Sequence, residues 1–261
     1  MSLPFCVAAK LLNVKIFLFE PNMVLGRSNK IFLSLAKKII CYSKQIKSLP
    51  NKYKHKIFLI NPLLRRDLYI LDKSIKNEID RSFKILIIGG SQGAKFFDEK
   101  IKKLIINLSK ENKIYLIQQI FDENKKLELI KQYNEINIKY ELFSYNNELY
   151  KTFNNVDFSI TRAGASTISE LIFYNIPFLA VPFPRAKDNH QFYNAKYYFD
   201  KDLCWLVNQD EFKTEKIASF LTNLINNKKE YFLKKQNMKK FSYQNTWNNI
   251  NQKLTGLINE N

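Results

Sequence analysis

Phe83-Lys84-Ile85-Leu86-Ile87-Ile88-Gly89-Gly90-Ser91-Gln92-Gly93-Ala94 decides how this 261-residue chain folds. Its first half is an apolar run with little alternation, the pattern of a strand covered on both faces. Its second half is rich in glycine and opens a helix. Average usage of about 7% would give a chain this long roughly 18 glycines. It has six, and three of them fall between 89 and 93. Where glycine is this scarce, each one answers a backbone need.

Working outward, strands are predicted at 113–117, 138–143, 157–161, 178–181 and 204–207. Helices are predicted at 94–108, 122–133, 147–153, 165–174 and 189–199, and 211–258 reads as helical. Strands alternating with helices imply an α/β fold with a parallel sheet covered on both sides. Asn175, just before Ile176-Pro177, sits where a left-handed helix cap is expected. Upstream, the pattern reads as helix 3–12, strand 15–19, helix 27–36 and strands 39–42 and 56–60. The polar stretch 72–81 is the candidate linker. Residues 1–80 and 81–243 are thus two domains, with 244–261 a C-terminal helix packing back on the first. The first segment enters a helix without a preceding strand, which a βαβ unit would normally supply. It reads as part of a domain.

Composition narrows the function. At 46% hydrophobic residues the chain is not disordered, and three dispersed cysteines offer neither a disulfide framework nor a thiolate metal motif. Two histidines argue against a multi-histidine zinc site. No apolar run reaches the roughly 18 residues of a membrane span, and the start lacks a signal-peptide pattern. These features predict a cytoplasmic or membrane-peripheral protein. The net charge is +18, and residues 1–66 hold thirteen Lys or Arg against one acid, Glu20. This is either a lysine-biased composition or an attraction to an anionic surface. No aromatic–basic nucleic-acid module accompanies the charge, so a nucleic-acid partner is not expected.

Three stretches carry chemistry. The Gly89–Gly93 turn can bring backbone N–H groups and a helix N-terminus to a phosphate, with Ser91 as cap or donor. Its plainer reading is a tight β–α turn. Its spacing is neither the dinucleotide fingerprint nor the NTPase loop. Thr161-Arg162-Ala163-Gly164-Ala165-Ser166-Thr167-Ile168-Ser169-Glu170 repeats the arrangement at the same end of a parallel sheet, where ligands bind. Taken alone, Glu170 fits a capping box with Thr167. The two glycine turns together favour a carboxylate for a ribose diol. In Val181-Pro182-Phe183-Pro184-Arg185-Ala186-Lys187-Asp188-Asn189-His190-Gln191-Phe192-Tyr193-Asn194-Ala195, two prolines end a strand and a polar cluster opens a helix. Such residues suit a hydroxyl-rich ligand or simply a solvated helix start. In the first segment Glu20-Pro21-Asn22, with Gly26 beyond, places Asn22 at a strand end facing the cleft.

In order, these stretches resemble the MurG family of bacterial glycosyltransferases. The matching pieces are Ser2-Leu3-Pro4 with Ala8-Ala9-Lys10, Glu20-Pro21-Asn22 with Gly26 and Asn29, Asn61-Pro62, Gly89–Ala94, and Arg162-x-Gly164-Ala165-x-Thr167-x-x-Glu170. Ile176-Pro177, Pro182-Phe183 and Asp188-Asn189-His190-Gln191 with Asn194-Ala195 complete the set. The resemblance implies a GT-B fold, two Rossmann-like domains with parallel sheets facing across a cleft, the N-terminal one incomplete. It implies inverting transfer of N-acetylglucosamine from UDP-GlcNAc to the C4 hydroxyl of lipid I, on the cytoplasmic face of an anionic inner membrane, with other cell-wall enzymes as further partners. Gly89, Gly90, Ser91, Gln92 and Gly93 would hold the diphosphate, and Glu170 the ribose. Gly164, Ala165, Ser166 and Thr167 would face sugar and phosphates. His190, Gln191 and Asn194 would serve the GlcNAc side, Asn22 would reach from the other domain, and the loop at Asn146 would read uracil. Arg65 stands for the family's arginine after Asn61-Pro62, one residue displaced. Tyr145-Asn146-Asn147-Glu148 departs from the family's pattern. No metal and no cofactor beyond the donor are implied. The family's first glycine-rich loop, which supplies a candidate base, has no match, so no base is named. About a hundred residues, roughly three βα units, are expected before Met1. The competing readings are a non-catalytic UDP-sugar-binding fragment and a UDP-sugar transferase for another lipid acceptor.

Overall fold

The computed structural model describes residues 2–70, 82–90 and 95–259. The candidate linker 72–81, and Ser91, Gln92, Gly93 and Ala94 of the glycine turn, lie outside the described residues.

The first unit begins with α1 (Ser2–Leu11), followed by β1 (Ile16–Glu20), α2 (Arg27–Phe32), β2 (Ala36–Cys41) and β3 (Ile57–Leu59). Its three strands pair in parallel in the order β1-β2-β3. Leu18, Leu25, Phe32, Leu33 and Ile39 form its core, while α1 leaves Phe5 and Leu11 exposed, as is Leu12 just after it. Two expected bounds shift. α2 ends at Phe32 rather than Ala36, and β2 begins at Ala36, which pairs with Ile16. The cause is Lys56, whose ammonium donates to the carbonyls of Leu33, Ser34 and Ala36 at 3.0, 3.0 and 2.6 Å. Those carbonyls leave the helical ladder, and Lys56 itself belongs to the 3₁₀ turn Asn51–Lys56 rather than to β3. The short helix α3 (Arg66–Ile70) follows, an element the sequence pattern had not indicated.

The second unit holds six parallel strands: β4 (Phe83–Ile88), β5 (Ile114–Gln119), β6 (Lys139–Phe143), β7 (Phe158–Thr161), β8 (Phe178–Ala180) and β9 (Trp205–Leu206). Their order is β6-β5-β4-β7-β8-β9. Between and after them run α4 (Lys95–Ser109), α5 (Lys126–Glu135), α6 (Ala165–Phe173), α7 (His190–Phe199), α8 (Thr214–Asn226), α9 (Lys229–Ser242) and α10 (Trp247–Asn259). β4 explains the layering. Ile85 and Ile87 enter one core with Phe97, Ile101 and Leu104 of α4 and Leu221 of α8. Leu86 and Ile88 enter the other with Ile168 and Leu171 of α6, Tyr198 of α7 and Met238 of α9. All four strand side chains are buried, so alternation in polarity is lost although alternation in direction is kept.

The helix expected at 147–153 is a 3₁₀ stretch, Leu149–Asn155, and that expected at 122–133 runs to Glu135 after a 3₁₀ turn. The helical end is three helices. Asn227, with extended backbone, breaks the first from the second. Asn175 adopts the expected left-handed conformation at φ 53°. Ile176 N–H then bonds the Leu171 carbonyl, which closes the end of α6. α10 meets α3 through Trp247, whose ring lies 5.9 Å from that of Tyr69. Asn245, just before α10, donates to the Pro62 carbonyl at 3.1 Å.

Gly256 lies inside α10 with nothing within 4 Å of an added Cβ. Alanine there removes backbone entropy from the unfolded chain without a clash. Gly256→Ala is expected to raise unfolding stability by about 0.5–1 kcal/mol, read from urea denaturation, with no change in ligand binding.

Candidate active site at the sheet switch point

The chain lays β4, β5 and β6 outward in one direction, then β7, β8 and β9 in the other. β4 and β7 pair in register, Ile88 opposite Thr161. Beyond their carboxyl ends α4 and α6 depart to opposite faces, which opens a crevice at the switch point. Gly89 and Gly90 of the first glycine turn, and the second turn at Gly164, stand there.

The first turn is shaped from the neighbouring strand. Gly90 has φ +68°, a conformation that favours glycine. Gln119, the last residue of β5, accepts from Gly89 N–H at 3.1 Å and Gly90 N–H at 3.2 Å. Its own amide donates to the Ser144 carbonyl at 3.1 Å. The N–H groups of Gly89 and Gly90 therefore share one acceptor, Gln119 Oε1. Gln119 is a turn-shaping residue outside both glycine motifs. Its signal was a polar residue closing an apolar strand next to the glycine strand.

The second turn is held from behind by Arg162. Its guanidinium donates to the carbonyls of Val181 and Pro182 at 3.1 and 3.2 Å and to Gln209 Oε1 at 2.6 Å. It lies against the rings of Phe96, Phe97 and Phe183. Burial pulls its pKa down to about 10. Gly164 is the N-cap of α6 and, having no side chain, leaves the helix end without a side-chain cap. The first helical residues, Ala165, Ser166 and Thr167, carry N–H groups with no intrahelical acceptor. This is an anion-attracting end.

Because α6 starts at Ala165, Glu170 stands about 7.5 Å along the axis from the first helical residue. That overturns the capping-box alternative, which requires Thr167 at the N-cap. Glu170 instead meets Arg65, Oε1 to Nε at 3.8 Å. Burial raises its carboxyl pKa, and Arg65 offsets part of the rise. Arg65 also donates to the Asn147 carbonyl at 3.1 Å and lies over the Tyr150 ring at 5.3 Å. The structure thus brings together Glu170, Arg65 and the loop of Asn146, whose own Oδ1 accepts from Glu148 N–H at 2.8 Å.

The Pro-rich loop and α7 complete the cleft. Gln191 Oε1 accepts from Ala163 N–H at 3.2 Å and Phe183 N–H at 2.9 Å, tying both loops together. His190 Nδ1 donates to the Lys187 carbonyl at 2.8 Å. Asp188 and Asn189 hold φ of 53° and 54° ahead of α7. Asp188 takes a bidentate pair from Arg27 of the first unit, both contacts 3.1 Å, and Arg27 holds its carboxyl below the usual range. Asn194 is 1% exposed, and its Oδ1 accepts from Met23 N–H at 2.9 Å. Asn22 is oriented by Glu20, whose Oε1 accepts from its N–H and its amide at 3.2 Å. Glu20 Oε2 accepts from Gly26 N–H at 2.6 Å and Asn29 at 3.0 Å. A Cβ on Gly26 would lie 3.0 Å from that oxygen, which accounts for the glycine. Among the described residues no group of three or more His, Cys, Asp or Glu is placed to hold a metal ion.

The raised Glu170 pKa has a stability consequence. The folded state holds the Glu170 proton more tightly than the unfolded state. Stability from this group is therefore full below its ordinary pKa and falls as pH rises through the folded value. Glu170→Gln removes that loss. Its stability relative to the native chain is expected to rise between pH 4 and pH 7.5, measured by denaturant unfolding at both values.

The model of the glycosyltransferase family 28 C-terminal domain matches residues 84–250. A Pelagibacter ubique protein named UDP-N-acetylglucosamine–N-acetylmuramyl-(pentapeptide) pyrophosphoryl-undecaprenol N-acetylglucosamine transferase is 50% identical, the match covering 100% of this chain and 72% of that protein. A Rickettsia bellii protein of the same name is 38% identical over 85% of this chain and 64% of its own length. The crystal structure of Acinetobacter baumannii MurG superposes with a TM-score of 0.72 at 23% identity, covering 100% of this chain and 72% of that one, which supports the GT-B fold. The chain thus spans between 64% and 72% of these relatives. With its second unit matched almost end to end and half its residues shared with a named relative, the chain belongs to the MurG family of N-acetylglucosaminyltransferases.

Proposed function

We propose that this chain binds UDP-GlcNAc in the switch-point crevice and serves the donor side of inverting transfer to lipid I. The single observation that carries the reading is the pairing of an uncapped α6 N-terminus with a half-buried carboxylate, Glu170, further along the same helix. A nucleoside diphosphate has matching parts: phosphates for the helix end and a ribose diol for the carboxylate. Arg65, resting on Glu170 and Tyr150, stands where it can turn to a phosphate. As the acceptor C4 hydroxyl attacks the anomeric carbon, the glycosidic C–O bond to UDP breaks and negative charge grows on the departing phosphate. The α6 N–H groups stabilise that charge in place. The hydroxyl proton goes to a general base, which we do not assign to a residue of this chain. The donor is held here without a metal ion.

Calorimetry tests this directly. The chain is expected to bind UDP-GlcNAc and UDP, with affinity unchanged by EDTA. Glu170→Ala is expected to weaken binding at least about tenfold, about 1.4 kcal/mol, while the fold, followed by circular dichroism, persists. Absence of binding by the native chain overturns the reading. An acceptor assay on the whole enzyme comparing lipid I with diacylglycerol separates the transferase readings.

The membrane reading rests on the first unit. No described helix is long and apolar enough to cross a membrane. Thirteen basic residues against one acid within residues 1–66 suit an anionic lipid surface. Binding to vesicles containing phosphatidylglycerol is expected to fall steeply between 50 and 300 mM salt, roughly as screening shortens, and to be absent on neutral vesicles.

A further inference from the structure

We infer that Asn194 is a positioning residue that clasps the two units together at the donor loop, rather than a ligand of the sugar. The inference rests partly on the reading of the switch-point crevice as the donor site.

Asn194 belongs to the second turn of α7, in the second unit, and its side chain is 1% exposed. Its Oδ1 accepts from Met23 N–H at 2.9 Å. Its amide donates to Asn22 Oδ1 at 3.0 Å and to the Ala163 carbonyl at 3.2 Å. Both amide hydrogens are used, so none is left for a hydroxyl of a donor. Two of the three partners lie more than 170 residues away in the first unit, at the carboxyl end of β1. The third is the residue before Gly164, the cap of the helix proposed to hold the phosphates.

The contacts around it make this a rigid connection. The Ala163 peptide is gripped at both ends, its N–H by Gln191 and its carbonyl by Asn194, three residues apart on one face of α7. On the other side Glu20, 2% exposed, fixes the Asn22 backbone and side chain. A buried amide with three satisfied contacts specifies one arrangement, because any slip leaves polar groups unpaired. Of the other contacts between the units near this point, Arg27 with Asp188 and Lys47 with the Tyr193 hydroxyl lie at exposed positions, while Tyr197 hydrogen-bonds the buried Ser43. Asn194 joins the first unit directly to the α6 turn. A displacement of that turn by a bound diphosphate would therefore reach Asn22 and Met23 through one side chain.

Amide exchange and a distance measurement on the full chain test this. In the native chain Met23 N–H is expected to be protected, and saturating UDP-GlcNAc is expected to slow its exchange further. In Asn194→Ala, Met23 exchange should rise at least about tenfold. UDP-GlcNAc affinity should change less than about threefold, and the donor-induced slowing should vanish. Spin labels at Lys54→Cys and Lys216→Cys, in a Cys6→Ser background, should give one narrow distance that broadens in Asn194→Ala and in Asn22→Ala. The double variant should be no broader than the worse single one. If Asn194→Ala proves unstable, Asn194→Asp is the substitute. It keeps an acceptor for Met23 N–H and loses both donors, so Met23 should stay protected while donor coupling is lost. The inference is overturned if Asn194→Ala weakens UDP-GlcNAc binding more than about tenfold with the Met23 exchange and the distance unchanged. If the native chain does not bind UDP-GlcNAc, the donor reading falls, and basal exchange and distance still decide the clasp.

Discussion

The structure depends on β4 being buried on both faces and paired on both edges. A central parallel strand of this kind leaves the chain two directions in which to build, and here it uses both. The helices following β4 and β7 must then cover opposite faces, as their separate cores show. No connection passes between the two strand ends, so a crevice forms where they stop. The site is thus a consequence of topology before any polar residue is considered. Residue chemistry decides only what the crevice accepts.

Backbone at such a crevice has to be satisfied without the help of a ladder. The chain meets this need with a few side chains that each bind two or three groups. Gln119 and Gln191 each offer one oxygen to two N–H groups, and Arg162 spans two carbonyls and an amide. One net hydrogen bond is worth about 0.5–1.5 kcal/mol, whereas a buried group left unpaired costs about 1–3 kcal/mol. The second figure governs here, since losing one such side chain strands several groups at once. The loops keep their shape because the alternatives are worse.

Much of this could be read from residue order. The apolar run 83–88 and the alternation of strands and helices around it indicate the parallel sheet that the structure shows. Asn175 announced its left-handed cap, whereas Glu170, expected in the first helical turn, is the sixth residue of α6. What stayed hidden was set by contacts distant in sequence. Lys56 decides where α2 ends from more than twenty residues away, and α3 and the 3₁₀ stretches carry too little periodicity to register. Among the site residues, Asn194 and Gln191 read as polar groups at a helix start, and nothing local indicated that their partners would be protein. Gln119 was missed because it belongs to neither glycine motif.

The division between what holds a loop and what the loop presents has an evolutionary consequence. At the start of α6 the shape is maintained by Arg162, Gln191 and Asn194, all anchored outside the helix, while Ser166 is exposed and takes no part in that scaffold. Side chains on the presenting positions are therefore free to drift without collapsing the turn. Exchanging one or two residues there changes what the turn presents without changing its shape. In the frame behind them each member answers to several partners, so a single exchange there leaves several groups unpaired at once.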